Sequence, residues 1–189
     1  MRVFVAGATG AIGLPLVRLL VAAGHTVAGM TRTPEKARLV EELGAEPAVC
    51  DVFDADGVRR AVVAFAPDVV VNELTDLPDR EDEIDAARNA RMRVEGSANL
   101  LAGAGGARYL AQSVAWETSG ETRRGVEELE RATLAAGGVV LRYGFFHGPG
   151  TYHEGSDLPP EPRVHVEEAA RRTVDALDAP SGVIVVVDP

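Results

Sequence analysis

The 189-residue sequence predicts an α/β fold: a single doubly wound domain, residues 1–189, built on a mostly parallel sheet. Three observations support this. Short β-branched runs alternate with amphipathic stretches along the whole chain. Several of the runs (VFV, VVV, VIVVV) are apolar throughout, as strands covered on both faces must be. A glycine-rich turn joins the first run to the first amphipathic stretch. Repeated strand–helix alternation implies parallel pairing with right-handed crossovers, because a crossover helix must pack back onto the sheet it left.

The expected strands are Arg2–Ala6, Thr26–Met30, Glu46–Val49, Asp68–Asn72, Arg108–Gln112, Val139–Arg142 and Val183–Val187. Helical patterns fall between them at Ala11–Ala23, Pro34–Leu43, Ala55–Phe65, Arg80–Ala102, Thr122–Ala136 and Val166–Leu177. The acidic run Asp79–Glu83 reads as a solvated helix start, with carboxylates at its positive end. One long irregular stretch, Gly144–Arg163, is rich in Gly and Pro and is expected to cross the C-terminal edge of the sheet; loops of that length tend to be functional.

Composition narrows the function. Apolar residues make up 46 % of the chain, yet no apolar run reaches the roughly 20 residues of a membrane span. The N-terminus enters a strand with no leader pattern, and Cys50 is the only cysteine, so a soluble cytoplasmic protein without internal disulfides is expected. A net charge of −10 repels a phosphate backbone and argues against nucleic-acid binding. The four histidines do not form a ligand set of metal-site spacing, so no metal is expected.

The turn GATGAIG carries the most chemistry. Gly7 permits a sharp turn off the first strand, Gly10 lets the backbone approach a phosphate, and Gly13 lets the helix pack closely on the sheet. With Thr9, Ala11 and Ile12 they present unpaired N–H groups and a positive helix end to a pyrophosphate. The second strand ends in Met30-Thr31-Arg32, without the acid that would accept from both ribose hydroxyls. Arg32 and Lys36, the only lysine in the chain, suit a 2′-phosphate, so NADP(H) is favoured over NAD(H).

These residues match a family. GATGAIG, Cys50-Asp51-Val52, VVVNELT, RVEGSANLL, LAQSVAW, LRYGFFHGPGT and VHVEEAARRTVDAL resemble, in order, motifs of the atypical and extended short-chain dehydrogenase/reductases. That family includes the NAD-dependent epimerase/dehydratases and the NmrA-like proteins. The resemblance implies a Rossmann-like domain in which Asp51 and Val52 contact the adenine, and Leu74 and Thr75 line the nicotinamide ribose. It also implies Ser113 beside the nicotinamide, with Tyr143 to Phe145 walling the carboxamide.

The chain departs from that pattern twice. No Tyr is followed four residues later by Lys, so the family's usual proton donor is missing; Thr122 and Val126 fall near the two positions. The C-terminal substrate lobe is also reduced, because Gly144–Arg163 leads almost directly into the last helix. The resemblance then implies an NADP(H)-dependent atypical reductase acting on a small carbonyl or conjugated acceptor. Ser113 would polarise the acceptor, and His147 or Tyr143 would supply the proton. Two alternatives remain: a redox-silent NADP-binding regulator, and a non-redox lyase, cyclase or isomerase on the same scaffold. Trp116 is a candidate wall for an aromatic substrate. Small and apolar residues at Ala86, Ala87, Ala90, Val126, Leu129, Ala132 and Ala136 would allow a homodimer through paired helices.

Overall fold

A computed structural model describes residues 1–189. Seven strands form one parallel sheet: β1 (Arg2–Ala6), β2 (Thr26–Thr31), β3 (Glu46–Val49), β4 (Val69–Asn72), β5 (Arg108–Val114), β6 (Val139–Tyr143) and, last in the chain, β9 (Gly182–Val186). Their order is β3-β2-β1-β4-β5-β6-β9, so the winding reverses between β1 and β4. Register is in phase at that reversal: Val3 pairs with Val27 on one side and Val69 on the other.

Period-two alternation divides each strand between two layers. Val3 and Val5, Val69 and Val71, and Leu110 face α1 (Gly13–Ala22), α2 (Pro34–Glu42) and α7 (Val166–Asp175). Phe4 and Ala6, Val70, Tyr109 and Ala111 face α3 (Ala55–Phe65), α5 (Ser97–Gly103) and α6 (Gly120–Ala135). Covering the sheet on both faces is what makes its central strands continuously apolar. Local signals set the helix starts. Thr33 accepts from the Lys36 N–H ahead of α2, and Asp54 accepts from the Gly57 N–H at 3.0 Å ahead of α3.

Three expectations change. β5 runs two residues past Gln112, which brings Ser113 and Val114 into the sheet, paired with Arg142 and Tyr143. The helix expected from Arg80 begins only at α4 (Ala86–Arg91), because Asp85 caps it by accepting the Ala87 and Arg88 N–H groups. Arg80 instead binds Asp82 within a separate short 3₁₀ turn, Glu81–Glu83. Between α4 and α5 the helix widens into a π turn, Met92–Gly96. The stretch expected to be irregular contains β7 (Phe145–His147), which pairs with β8 (Arg163–His165) in a second, two-stranded sheet.

Of the seven residues offered as a dimer face, three are packed within the chain and three are exposed. Ala90, Val126 and Leu129 are buried, and a Cβ at Gly125 would stand 3.0 Å from the Ala90 backbone. Ala86, Ala87 and Ala136 remain exposed. No helix is long and apolar enough to cross a membrane.

Candidate nucleotide cleft and active site

The C-terminal ends of β1, β4, β5 and β6 open into one cleft of about 870 Å³, at the point where the strand order reverses. Open parallel sheets bind ligands at that place because the crossover loops diverge there.

Steric limits dictate the glycines of the first turn. Gly7 has φ +84°, and a Cβ on it would stand 2.6 Å from the Glu73 carbonyl oxygen. A Cβ on Gly13 would stand 2.1 Å from the Gly7 oxygen, which fixes the close approach of α1 to the turn. Thr9, Gly10, Ala11 and Ile12 line the cleft. No side chain caps α1 and no acid lies in its first turn, while the Ala11 and Ile12 N–H groups bond to no backbone carbonyl. Uncommitted donors at a positive helix end fit a dinucleotide pyrophosphate. Arg32 and Lys36 line the same cleft at the tip of β2.

Val52, Leu74 and Thr75 also line it. The Leu74 N–H donates to Asn72 Oδ1, while Asn72 Nδ2 donates to Ser97 Oγ and Tyr109 OH, both at 2.9 Å. That buried network ties the end of β4 to α5 and β5. Asp51 is exposed just outside the cleft wall, and its Oδ1 accepts from the Phe53 N–H at 2.9 Å in a local turn.

The three catalytic candidates lie in different settings. Ser113 lines the cleft but is 1 % exposed, and its hydroxyl donates to Glu130 Oε1 at 2.5 Å. Glu130 is gripped in turn by Arg142 through Nε at 2.8 Å and Nη2 at 2.5 Å. Burial works against the Glu130 charge, but the bonds from Arg142 and Ser113 hold its carboxyl below the usual range. The Ser113 proton is therefore committed to a carboxylate, and the oxygen is left to accept rather than to polarise by donation.

Tyr143 also lines the cleft, yet its hydroxyl meets Glu73 Oε1 at 3.1 Å and Thr173 Oγ1 at 2.6 Å in the interior. Burial, with the Glu73 charge behind it, pushes the Tyr143 hydroxyl well above its usual pKa. His147 lies outside the cleft wall. Pairing of β7 with β8 carries its ring to Asp188, with Nε2 at 2.8 Å from Oδ2. His153 approaches Glu81 at 3.8 Å instead, so the two histidines have different partners. Trp116 stacks on Phe145 with ring centroids 3.9 Å apart, and both line the cleft. Thr122, near the absent tyrosine, lines it as well, while Val126 is buried.

Three charged residues escaped the sequence reading. Glu130 holds Ser113. Glu73, at the end of the apolar run VVVN, is 4 % exposed with Oε2 unpartnered, and burial pushes its carboxyl up to about 8. Arg93 lies buried in the π turn. A charge at the end of a buried strand was a visible signal for Glu73. Arg93 had a weaker one, its four-residue spacing with Asn89 and Ser97.

Fold, glycine turn and cleft define a nicotinamide-dinucleotide-binding α/β protein. Residues 7–135 match the family model described as NAD(P)H-binding, and the chain belongs to that family. It is 40 % identical over 184 aligned positions to a 3-diazoavenalumate denitrifying reductase of Streptomyces sp., an alignment covering 80 % of this chain and 58 % of that protein. The chain thus spans under two thirds of that relative's length. Its fold is similar to that of a Thermus thermophilus UDP-glucose 4-epimerase in complex with NAD, with TM-score 0.80, 21 % identity, and 99 % and 78 % of the two chains covered. It is likewise similar to a yeast methylglyoxal/isovaleraldehyde reductase in complex with NADPH, with TM-score 0.77, 18 % identity, and 99 % and 78 % covered.

Proposed function

We propose that the chain is an NADPH-dependent reductase of a small conjugated or carbonyl acceptor. The observation that carries this reading is the continuity of the cleft: one cavity joins the uncommitted N–H groups of the glycine turn to a chamber walled by Trp116 and Phe145. Ala11 and Ile12 would hold the pyrophosphate, Arg32 and Lys36 the 2′-phosphate, and Leu74 and Thr75 the nicotinamide ribose. The relative from Streptomyces is named a reductase, which favours redox use of the scaffold over a silent sensor or a lyase.

The cofactor, when bound, supplies a hydride. The protein's part is to position the acceptor beside it and to keep water out. Without a Tyr–Lys pair, simple ketones lack their usual acid, a deficit of roughly 10²–10⁴-fold. Acceptors whose reduced form is a delocalised anion need that proton less, so enones, quinones and similar compounds fit best. The test is NADPH oxidation followed spectroscopically across quinone, enone, diazo and simple ketone acceptors. Oxidation of the conjugated acceptors well ahead of the ketones supports the reading; tight NADPH binding with no oxidation by any acceptor supports the regulator instead.

A further inference from the structure

Arg93 is the only arginine or lysine in the molecule's buried set, at 6 % exposure. No carboxylate lies within 4.0 Å of it and its nitrogens make no hydrogen bond, yet none of those nitrogens is sealed off. It lines the cleft from the π turn that interrupts the helix between α4 and α5. Asn89 and Ser97, four residues to either side, are both committed: Asn89 Oδ1 accepts from the Asp76 N–H at 3.1 Å, and Ser97 Oγ accepts from Asn72 at 2.9 Å. Those two bonds hold the helix against the end of β4 and leave the guanidinium between them free.

A buried cation without a counter-charge is costly, because desolvation is not offset by any attraction. Of the other arginines, Arg108 also has buried guanidinium nitrogens without a partner, but it sits at the start of β5 and does not line the cleft. The cations that do find carboxylates show the contrast. Arg142 is forked onto Glu130, and Arg88, Arg91 and Arg171 all reach carboxylates. Burial alone acts on Arg93 and lowers its pKa, with no carboxylate opposing that shift. Of the acids on the cleft, Asp79, Glu81 and Glu154 are exposed, and the buried Glu73 makes no ion pair with Arg93 and is kept protonated by burial, which pushes its carboxyl up to about 8.

We propose that Arg93 is the anchor for a carboxylate on the substrate, and that the ligand of this chamber is an aromatic or conjugated carboxylic acid. The planar fork of a guanidinium matches a carboxylate through two parallel hydrogen bonds. The cofactor's own anions have other places. The pyrophosphate belongs at the N-terminus of α1 and the 2′-phosphate at Arg32, at the tip of β2, on the other side of β1 from β4, where the Asn89 and Ser97 bonds hold the helix that carries Arg93. The Trp116–Phe145 stack supplies a flat apolar wall in the same cavity. This assignment rests on the reductase reading for its cofactor geometry, but its test does not need turnover.

The test is calorimetric titration of cinnamate and of its uncharged amide, cinnamamide, into protein saturated with NADP⁺, for the native chain and for Arg93→Met and Arg93→Lys. Native protein should bind cinnamate more tightly than the amide. Arg93→Met should weaken cinnamate by about 10- to 100-fold, as expected for hydrogen bonds to a charged group. It should leave the amide and NADPH affinities unchanged, and Arg93→Lys should restore part of the loss. Without ligand, Arg93→Met should melt at the same temperature or higher, because it removes an uncompensated charge. Equal binding of acid and amide to the native protein, or binding of neither, overturns the proposal. So does a loss of NADPH affinity in Arg93→Met, or a lower melting temperature with cinnamate binding retained. Arg93-dependent cinnamate binding in a protein that oxidises no NADPH would sink the reductase reading and leave the carboxylate site standing.

Discussion

Replacing Glu73 by Gln should change how stability depends on pH, and the size of the change follows from burial. The Glu73 carboxyl is buried at the end of β4, its Oε2 has no partner, and its pKa rises from 4.5 to about 8. Desolvation is the cause, opposed only by the bond from Tyr143. Folded protein therefore keeps this proton at neutral pH, whereas the unfolded chain has released it above 4.5. Stability from the neutral acid is complete below the unfolded pKa and is lost as pH rises towards the folded one. Each pH unit in that window costs about 1.4 kcal/mol, so about 4–5 kcal/mol disappears between pH 4.5 and 8. Gln has nearly the same shape and no charge to bury. Urea unfolding of native protein and Glu73→Gln at pH 5, 6, 7 and 8 should give curves that diverge, with the variant gaining relative stability on the order of 4 kcal/mol by pH 8. Parallel curves would refute the reasoning, because they would mean that Glu73 ionises in the fold as readily as in the open chain.

Gly13→Ala would place a methyl 2.1 Å from the Gly7 oxygen; it should cost about 1–3 kcal/mol in urea unfolding and abolish NADPH binding in a fluorescence titration. Arg32→Ala should weaken NADPH by about 1.5–3 kcal/mol while leaving NADH unaffected; equal losses would remove Arg32 from the 2′-phosphate. His147→Asn should lower stability by about 1 kcal/mol through the lost Asp188 contact, with kcat retained, and a large fall in kcat would return His147 to the chemistry. Asp54→Ala should cost about 1 kcal/mol by uncapping α3, read as a lower unfolding midpoint with no change in NADPH affinity.

Amino-acid order alone was enough for the parallel α/β layer, the glycine turn and the cofactor class. Each of these depends on neighbours in the chain: an apolar run long enough for a strand, a stripe at helical spacing, or glycines where a Cβ would strike the adjoining backbone. The helix start at Arg80 failed for an equally local reason, because Asp85 is the better cap and Asp82 and Glu83 pair with Arg80 ahead of it. The catalytic assignments needed distances that sequence spacing does not contain. Ser113 meets Glu130 from 17 residues away, Tyr143 meets Glu73 from 70, and His147 meets Asp188 from 41. Only the packed sheet decides which hydroxyl keeps a free proton and which ring reaches the cleft. The same holds for Glu73 and Arg93. The sequence flags their positions at most, through a charge ending an apolar run for Glu73 and a helical spacing for Arg93; what sets them apart is removal from water without a counter-charge, a property of the folded surroundings on all sides.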